Sequence, residues 1–431
     1  MQLAPALAVA ALAFSFVGLQ DSEPPLDKDR VDALVDQYLE LGPRAVGTQW
    51  ARQREILVSL ESLPVLDARA EKDWREDLLE RWMEGPQLPS KKKSGQHYLW
   101  EEREGGERGK YIVGGKTKKP KGLVISMHGG GLGSGDAGAA ASAFGSAVSD
   151  RKWLGIFPEV LEKTEHGWTT SGTEEFVLEL VDRAVRTYEL DRDHIYLCGH
   201  SMGGYGTWTL GARHADRWAG LAASAGAPTP LVDREGVFYG IDWGVIPNLR
   251  NTRLVVYQSG DDPQVPPDAN RVANAEVGKA KAQWGGYEGF EYWEENGYGH
   301  DAPPGGFGDF LERIGDAERD ACPNKLVWQP VLSWKRQFYW LFWESPVPGE
   351  IVVAELVPDE NEVRLTAERL GSGFSILLND GMLDLSKDVV VRLNDKVVFR
   401  GKAEPTLASL LLTGVTGDPE RTYSARVHVT D

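Results

Sequence analysis

Cysteine is nearly absent from this chain: Cys198 and Cys322 are its only two in 431 residues. At most one disulfide can form, so the fold is not a disulfide-stapled scaffold. There is no paired Cys-x-x-Cys, no His-x-x-x-His and no Asp-rich calcium loop, so no metal and no cofactor is implied. Positive charge is scarce as well, with 47 Lys and Arg against 65 Asp and Glu and a net charge of −18. That balance excludes a general phosphate-backbone binder, and no nucleic-acid partner is expected. The local exceptions, Lys91–Lys93 and the cluster Lys116–Lys121, read as a solvated linker and hairpin. Internal repeats and low-complexity tracts are missing, and after residue 19 no apolar run approaches the length of a membrane span. With 41% hydrophobic and 26% charged residues, the composition is that of an ordinary globular protein.

Residues 3–19 form an uncharged apolar run that stops at Gln20-Asp21. The run is short for a membrane span and stands where a secretory signal belongs, although it lacks the usual basic lead. No Cys follows it, which argues against a lipid anchor. The expectation is a signal peptide over 1–20 and a secreted or periplasmic protein, with no integral membrane segment after its removal.

Behind this leader the patterning divides the chain in three. Residues 21–96 read as two or three amphipathic helices and a linker, with Val31, Leu34, Val35 and Tyr38 at helical spacing, as are Trp74, Leu78 and Trp82. Residues 97–322 alternate short apolar strands with helices. Leu123–Met127 is near-continuously apolar, as parallel strands buried on both faces are, and Thr173–Tyr188 carries a helical stripe of Phe176, Leu180, Val181, Ala184, Val185 and Tyr188. This predicts an α/β fold with a mostly parallel sheet and crossover helices. Residues 323–431 almost lose the helical signal and read as short strands, with Asn394-Asp395 as a tight hairpin turn: an antiparallel β-sandwich-like module.

The chemistry-bearing feature is Gly199-His-Ser-Met-Gly203, a Gly-x-Ser-x-Gly sequence with the strand Ile195–Cys198 before it and a helix after it. Glycines at both ends let strand and helix approach closely while Ser201 is held in a strained turn with its hydroxyl exposed. A nucleophilic serine needs a base, and the base an orienting carboxylate. The strand Leu254–Gln258 runs into Ser-Gly-Asp-Asp-Pro-Gln-Val-Pro266, which offers Asp261 and Asp262; Asp262, directly before Pro263, is the first choice and Asp261 the alternative. His300 follows in the Gly-rich loop after the last sheet strand and completes the order Ser, acid, His. The turn His128-Gly-Gly-Gly131 after strand Leu123–Met127 can present the N–H groups of Gly129 and Gly130 to a developing oxyanion, together with that of Met202.

With these residues the chain resembles the α/β-hydrolases of the feruloyl-esterase, polyhydroxybutyrate-depolymerase and phospholipase/carboxylesterase type. The resemblance rests on His128–Gly131, the segment Asp191–Trp208, Asp-Pro-Gln-Val-Pro266 and Gly-Tyr-Gly-His300, and covers about residues 100–320. It implies an α/β-hydrolase fold and serine-ester hydrolysis through an acyl-enzyme with Ser201, Asp262 and His300. The partner would be an ester, either small or an acylated polysaccharide. One departure keeps Asp261 in play: the family's His-Gly ahead of the acid is Ser259-Gly260 here, one residue tighter. Trp168, Trp243 and His200 are placed at the substrate pocket. Prolyl-oligopeptidase-type peptidases share the fold and the residue order, and a non-catalytic binding protein is a third class. Gly133–Gly138 imitates a dinucleotide fingerprint but does not start at a strand end; the carboxylate pair Glu294-Glu295 and the strand-borne Cys198 are weaker alternatives to the serine.

Overall fold

The computed structural model describes residues 26–102 and 106–430; the expected signal peptide lies outside the described residues. Three helices lead: α1 (Lys28–Leu41), α2 (Gly47–Leu60) and α3 (Ala68–Met83). Asp27 and Asp67 cap α1 and α3, their carboxylates accepting the N–H groups of Arg30 and Ala70 at 2.9 and 2.8 Å. The predicted stripes turn inward, with Val31, Val35 and Tyr38 buried on α1 and Leu78 and Trp82 on α3. Among the described residues no helix is long and apolar enough to cross a membrane.

An eight-stranded sheet follows, built from β1 (Gly95–Glu102), β2 (Gly106–Gly115), β3 (Leu123–Met127), β4 (Leu154–Pro158), β5 (Ile195–His200), β6 (Gly220–Ser224), β7 (Arg253–Ser259) and β8 (Phe290–Glu295). Their order is β1-β2-β4-β3-β5-β6-β7-β8, and every neighbouring pair from β4 onward is parallel. β5 therefore lies in the interior of the sheet, and β3, β4 and β6 are buried along their whole length. The crossovers include α4 (Ala137–Asp150), α5 (Thr173–Tyr188), α6 (Met202–Arg213) and α7 (Asp268–Trp284), with the short α8 (Gly306–Glu312) after β8. Side chains alternate across the sheet: Leu123, Ile125 and Met127 join one apolar cluster, and Val124 joins the other.

Residues 323–430 build two sheets. One has five strands in the order Lys325–Trp328, Val352–Val357, Glu362–Thr366, Val389–Leu393, Lys396–Gly401; the other has four, Gln337–Phe338, Leu341–Trp343, Phe374–Leu378, Ala425–Val429. Three details depart from the sequence reading. Glu362–Thr366 and Val389–Leu393 pair in parallel, because the strand between them in sequence, Phe374–Leu378, belongs to the opposite sheet. Phe338–Trp343, one of the short strands expected in this segment, is instead a tight hairpin turning at Tyr339, φ 51°, and all its aromatic rings are buried. A helix, α9 (Leu407–Gly414), is present; all eight of its residues are buried, so it has no polar face from which a helical period could be read. Asn394 and Asp395, with φ 47° and 65°, do form the expected two-residue turn.

The three parts share one apolar cluster that holds Tyr38, Leu180, Trp340 and Leu411 together. Buried ion pairs cross the same junction. Asp216, after α6, meets Lys335 at 2.7 Å and Arg421 at 2.5 Å, and Arg319 meets Asp418 at 2.5 Å and Asp193 at 2.7 Å. The Asp216 side chain is fully inaccessible to solvent. Replacing it, Asp216→Asn, strands two buried cations and is expected to cost about 3–5 kcal/mol; urea unfolding of the full chain followed by tryptophan fluorescence checks this.

Candidate active site

Strand β5 ends at His200 and α6 starts at Met202, leaving Ser201 alone in the turn with φ 59° and ψ −122°. An L-residue rarely adopts this conformation, and here the surroundings enforce it. A Cβ on Gly199 would meet the backbone of Gly203, and one on Gly203 would meet the Met127 carbonyl, so β5, α6 and β3 close on the serine only with glycine at both positions. The Ser201 N–H donates to the Ser224 carbonyl at 2.9 Å, which ties the turn to β6. The Ser201 side chain does not cap α6; Oγ lies 2.8 Å from Nε2 of His300 instead.

His300 Nδ1 lies 2.7 Å from Oδ2 of Asp262, whose side chain has no solvent exposure. A carboxylate can only accept, so Nδ1 carries the hydrogen and Nε2 is left to accept from the serine hydroxyl. The other oxygen of Asp262 accepts the N–H groups of Gln264 at 2.8 Å and Val265 at 2.9 Å. A buried chain sets that loop: Asn270 on α7 donates to Gln258 of β7 at 2.7 Å, and Gln258 donates to the Val265 carbonyl at 2.8 Å.

Asp261 does different work. Its Oδ1 accepts the Ser259 hydroxyl at 2.5 Å and the N–H groups of Gly297 and Gly299 at 3.0 and 3.2 Å. It thereby grips the backbone of the loop that carries His300, and these donors, the Ser259 hydroxyl foremost, hold its carboxyl below the usual range. Of the two acids left open by the sequence, Asp262 faces the imidazole and Asp261 holds its loop.

The Gly-rich turn after β3 lies against the elbow, with Gly129 facing the His200 carbonyl and the Ser201 Cβ. His128 is buried and locks this turn: Nδ1 is 2.7 Å from the Gly129 carbonyl, and Nε2 accepts the Val160 N–H at 3.2 Å. Burial lowers its pKa. Met202 opens α6, so its N–H has no intrahelical partner and stands at the positive end of the helix dipole. Gly130, Met202 and Ser201 all line one open cleft of about 630 Å³.

A strained turn at Ser201 at the end of an interior parallel strand, with Asp262 after β7 and His300 after β8, settles the fold. The central domain has the α/β-hydrolase fold. No family model matches the chain, and no curated protein matches it in sequence. Solved structures match it in part. A thermostable esterase is 20% identical over 51% of this chain and 62% of its own length, with a TM-score of 0.38. A ferulic acid esterase from Anaeromyces mucronatus in complex with ferulic acid is 18% identical over 53% of this chain and 92% of its own, with a TM-score of 0.36. A poly(3-hydroxybutyrate) depolymerase from Bordetella parapertussis is 20% identical over 48% and 85%, with a TM-score of 0.37. The chain thus spans under two thirds of the first esterase, and each likeness takes in about half of this chain.

Three expected pocket assignments need correction. Trp168 is fully buried, packed where Gly206 leaves room on α6, and its Nε1 donates to the His128 carbonyl at 3.1 Å; it supports the Gly-rich turn and does not line the cleft. Trp243 is 57% exposed but lies over Gly349 of the sandwich, because its loop is tied there by the bond from the Gly244 N–H to Gln329 at 2.8 Å. His200 points beneath the site, with Nδ1 3.0 Å from the Ser224 hydroxyl and Nε2 3.2 Å from the His300 carbonyl. The cleft wall is instead Tyr205, Pro228, Pro230 and Val265, with Glu165 and His166 on its polar side. Tyr205 stands in the first turn of α6, just after the Gly-x-Ser-x-Gly sequence, a position that was readable; the others carry no motif. Cys198 is fully buried, and burial pushes its thiol up to about 12, which removes it as a nucleophile. Among the described residues no cluster of three or more His, Cys, Asp or Glu side chains is placed to hold a metal.

Burial, with the like charge of His300 next, takes His200 down to about 4 from its ordinary 6.5. In a histidine-selective NMR titration its ring is expected to stay neutral through pH 5, while an exposed imidazole such as that of a loop histidine titrates near 6.5.

Proposed function

We propose that this α/β-hydrolase cleaves carboxylic esters through an acyl-enzyme formed on Ser201. One observation carries the reading: the unbroken chain from Asp262 through His300 to Ser201, with its last member on a strained elbow at the wall of an open cleft. His300 takes the serine proton at Nε2 as Oγ attacks the ester carbonyl, and Asp262 holds the imidazole in the tautomer that can accept it and stabilises the imidazolium that results. The carbonyl oxygen, now an oxyanion, takes hydrogen bonds from the backbone N–H of Met202 and from those of Gly129 and Gly130. One donor of this kind is worth about 3–4 kcal/mol of barrier. His300 returns the proton to the departing alcohol. Water then enters and gives a proton to the same nitrogen as its oxygen bonds to the acyl carbon; the bond to Oγ breaks, His300 passes that proton to Oγ, and the acid leaves with Ser201 restored.

The cleft walls, Tyr205, Pro228, Pro230 and Val265, present apolar surface to an acyl or aromatic group, and Glu165 and His166 suit a hydroxyl-bearing one. A peptidase would use the same three residues. The propeller of prolyl-oligopeptidase-type enzymes has no counterpart among the described residues, where the N-terminal segment is α1 to α3. Export directed by residues 1–20 belongs to the same proposal.

A short-chain p-nitrophenyl ester and the matched anilide separate the two chemistries. Ester turnover is expected, falling by about 10⁴-fold or more in Ser201→Ala. Anilide cleavage at a comparable rate would replace the esterase with a peptidase, and failure of folded protein to react with a fluorophosphonate would remove the catalytic reading altogether. Asp262→Asn is expected to lose about 10⁴-fold in kcat through the wrong tautomer. Asp261→Asn, which keeps that carboxylate, is expected to lose far less.

A further inference from the structure

Away from the cleft, where α1–α2, the hydrolase domain and the sandwich meet, a small cavity of about 70 Å³ is enclosed by charged side chains. Arg44, Arg192, Arg217, Arg319, Lys335, Arg336 and Arg421 line it, and Asp216 and Asp418 stand among them. Arg192, Arg319 and Arg421 keep no more than 8% of their side-chain surface in solvent, and Lys335 keeps 11%. Among the described residues, the carboxylates in ion-pair reach of these seven cations are Glu179, Asp182, Asp193, Asp216 and Asp418. Three of the cations, Arg44, Arg192 and Arg217, share Asp182, and Arg44 also meets Glu179 at 2.7 Å. His214, also in the wall, lies 2.7 Å from the buried carboxylate of Glu174, whose charge is matched by Arg213 at 2.7 Å.

Positive charge therefore exceeds negative charge in a buried space, and uncompensated burial of a cation costs several kcal/mol. Lys335 shows the strain of it: burial first, and then the neighbouring Arg421, bring its ammonium down to about 8 despite the carboxylate of Asp216. A second observation lies in the same wall. Nε of Arg421 is buried and has no hydrogen-bond partner among the described residues. One water occupies roughly 10–15 Å³ of such space, so the cavity has room for a few waters or for one four-oxygen anion.

We infer that this junction cavity is a binding site for one inorganic oxyanion of the phosphate or sulfate type, held by the guanidinium groups of three separate parts of the chain. Planar guanidinium forks match the oxygens of such an anion two at a time, and the anion supplies the missing negative charge and an acceptor for the Arg421 Nε–H. Because the walls come from the helical segment, the hydrolase domain and the sandwich together, the bound anion locks their mutual packing. The site is independent of the esterase reading.

The test uses the full chain in chloride-free buffer at fixed ionic strength, with sodium gluconate as an anion too large to enter. Phosphate and sulfate are titrated separately while Tm is followed, and equilibrium dialysis with labelled phosphate gives the stoichiometry. A saturating rise of several degrees in the low millimolar range, with one phosphate bound per chain, is expected; a rise with only one of the two ions assigns that ion. Arg217→Met removes one cation yet leaves Asp182 paired with Arg44 and Arg192, so it is expected to fold in gluconate and to lose both the Tm rise and the bound phosphate. Equal Tm in gluconate, phosphate and sulfate, with no phosphate retained on dialysis, overturns the site, as does full phosphate binding by Arg217→Met. If that variant does not fold, the dialysis of the unaltered chain decides alone.

Discussion

Strand β5 and helix α6 can meet at Ser201 only because no Cβ stands between them. Gly199 and Gly203 give up their side chains so that two backbones come within contact of each other and of the Met127 carbonyl. That approach forces the left-handed φ on Ser201 and turns its hydroxyl away from the helix it would otherwise cap. It also brings α6 with its N-terminal N–H groups over the same point. The position of the hydroxyl, the donor geometry of Met202 and the contact with the Gly-rich turn all follow from one steric fact.

Around that point the polar side chains divide the labour of holding loops. Two consecutive aspartates serve two partners, since successive side chains in a tight turn leave the backbone in different directions: Asp262 reaches the imidazole, and Asp261 reaches the backbone of the loop that carries it. His200 secures the same loop from beneath through the His300 carbonyl, and His128 secures the turn on the other side of the serine. Burial keeps both of these histidines below the usual imidazole range, so they serve as fixed hydrogen-bonding groups, while His300 is the ring that meets the Ser201 hydroxyl.

The charged junction is a second organising feature, and it works by a different physics. Apolar contact joins the three parts of the chain without specifying how they are turned, because burial of area is non-directional. Asp182, Asp216 and Asp418 give that contact a direction, since a buried carboxylate tolerates only a geometry that keeps its cations in reach. The N-terminal helices and the sandwich, which contribute nothing to the cleft wall described here, are by this means fastened to the back of the domain that carries it.

Much of this was legible in the amino-acid order. Periodicity separated helical, alternating and strand-rich thirds because each element must bury one face, and that requirement writes itself locally into the chain. The elbow was legible for the same reason: the glycines, the serine and the strand before them are neighbours in sequence. The order Ser201, Asp262, His300 could be read because each residue follows its own strand at the same edge of a parallel sheet. Where an element had no polar face, as in α9, or reversed within a buried aromatic run, as at Tyr339, the local pattern was silent. Which of two adjacent aspartates meets the imidazole, that Trp168 and Trp243 support walls and do not line the cleft, and that seven cations converge on one cavity were decided only by tertiary structure. These depend on distances between residues tens to hundreds of positions apart, and no local propensity encodes them.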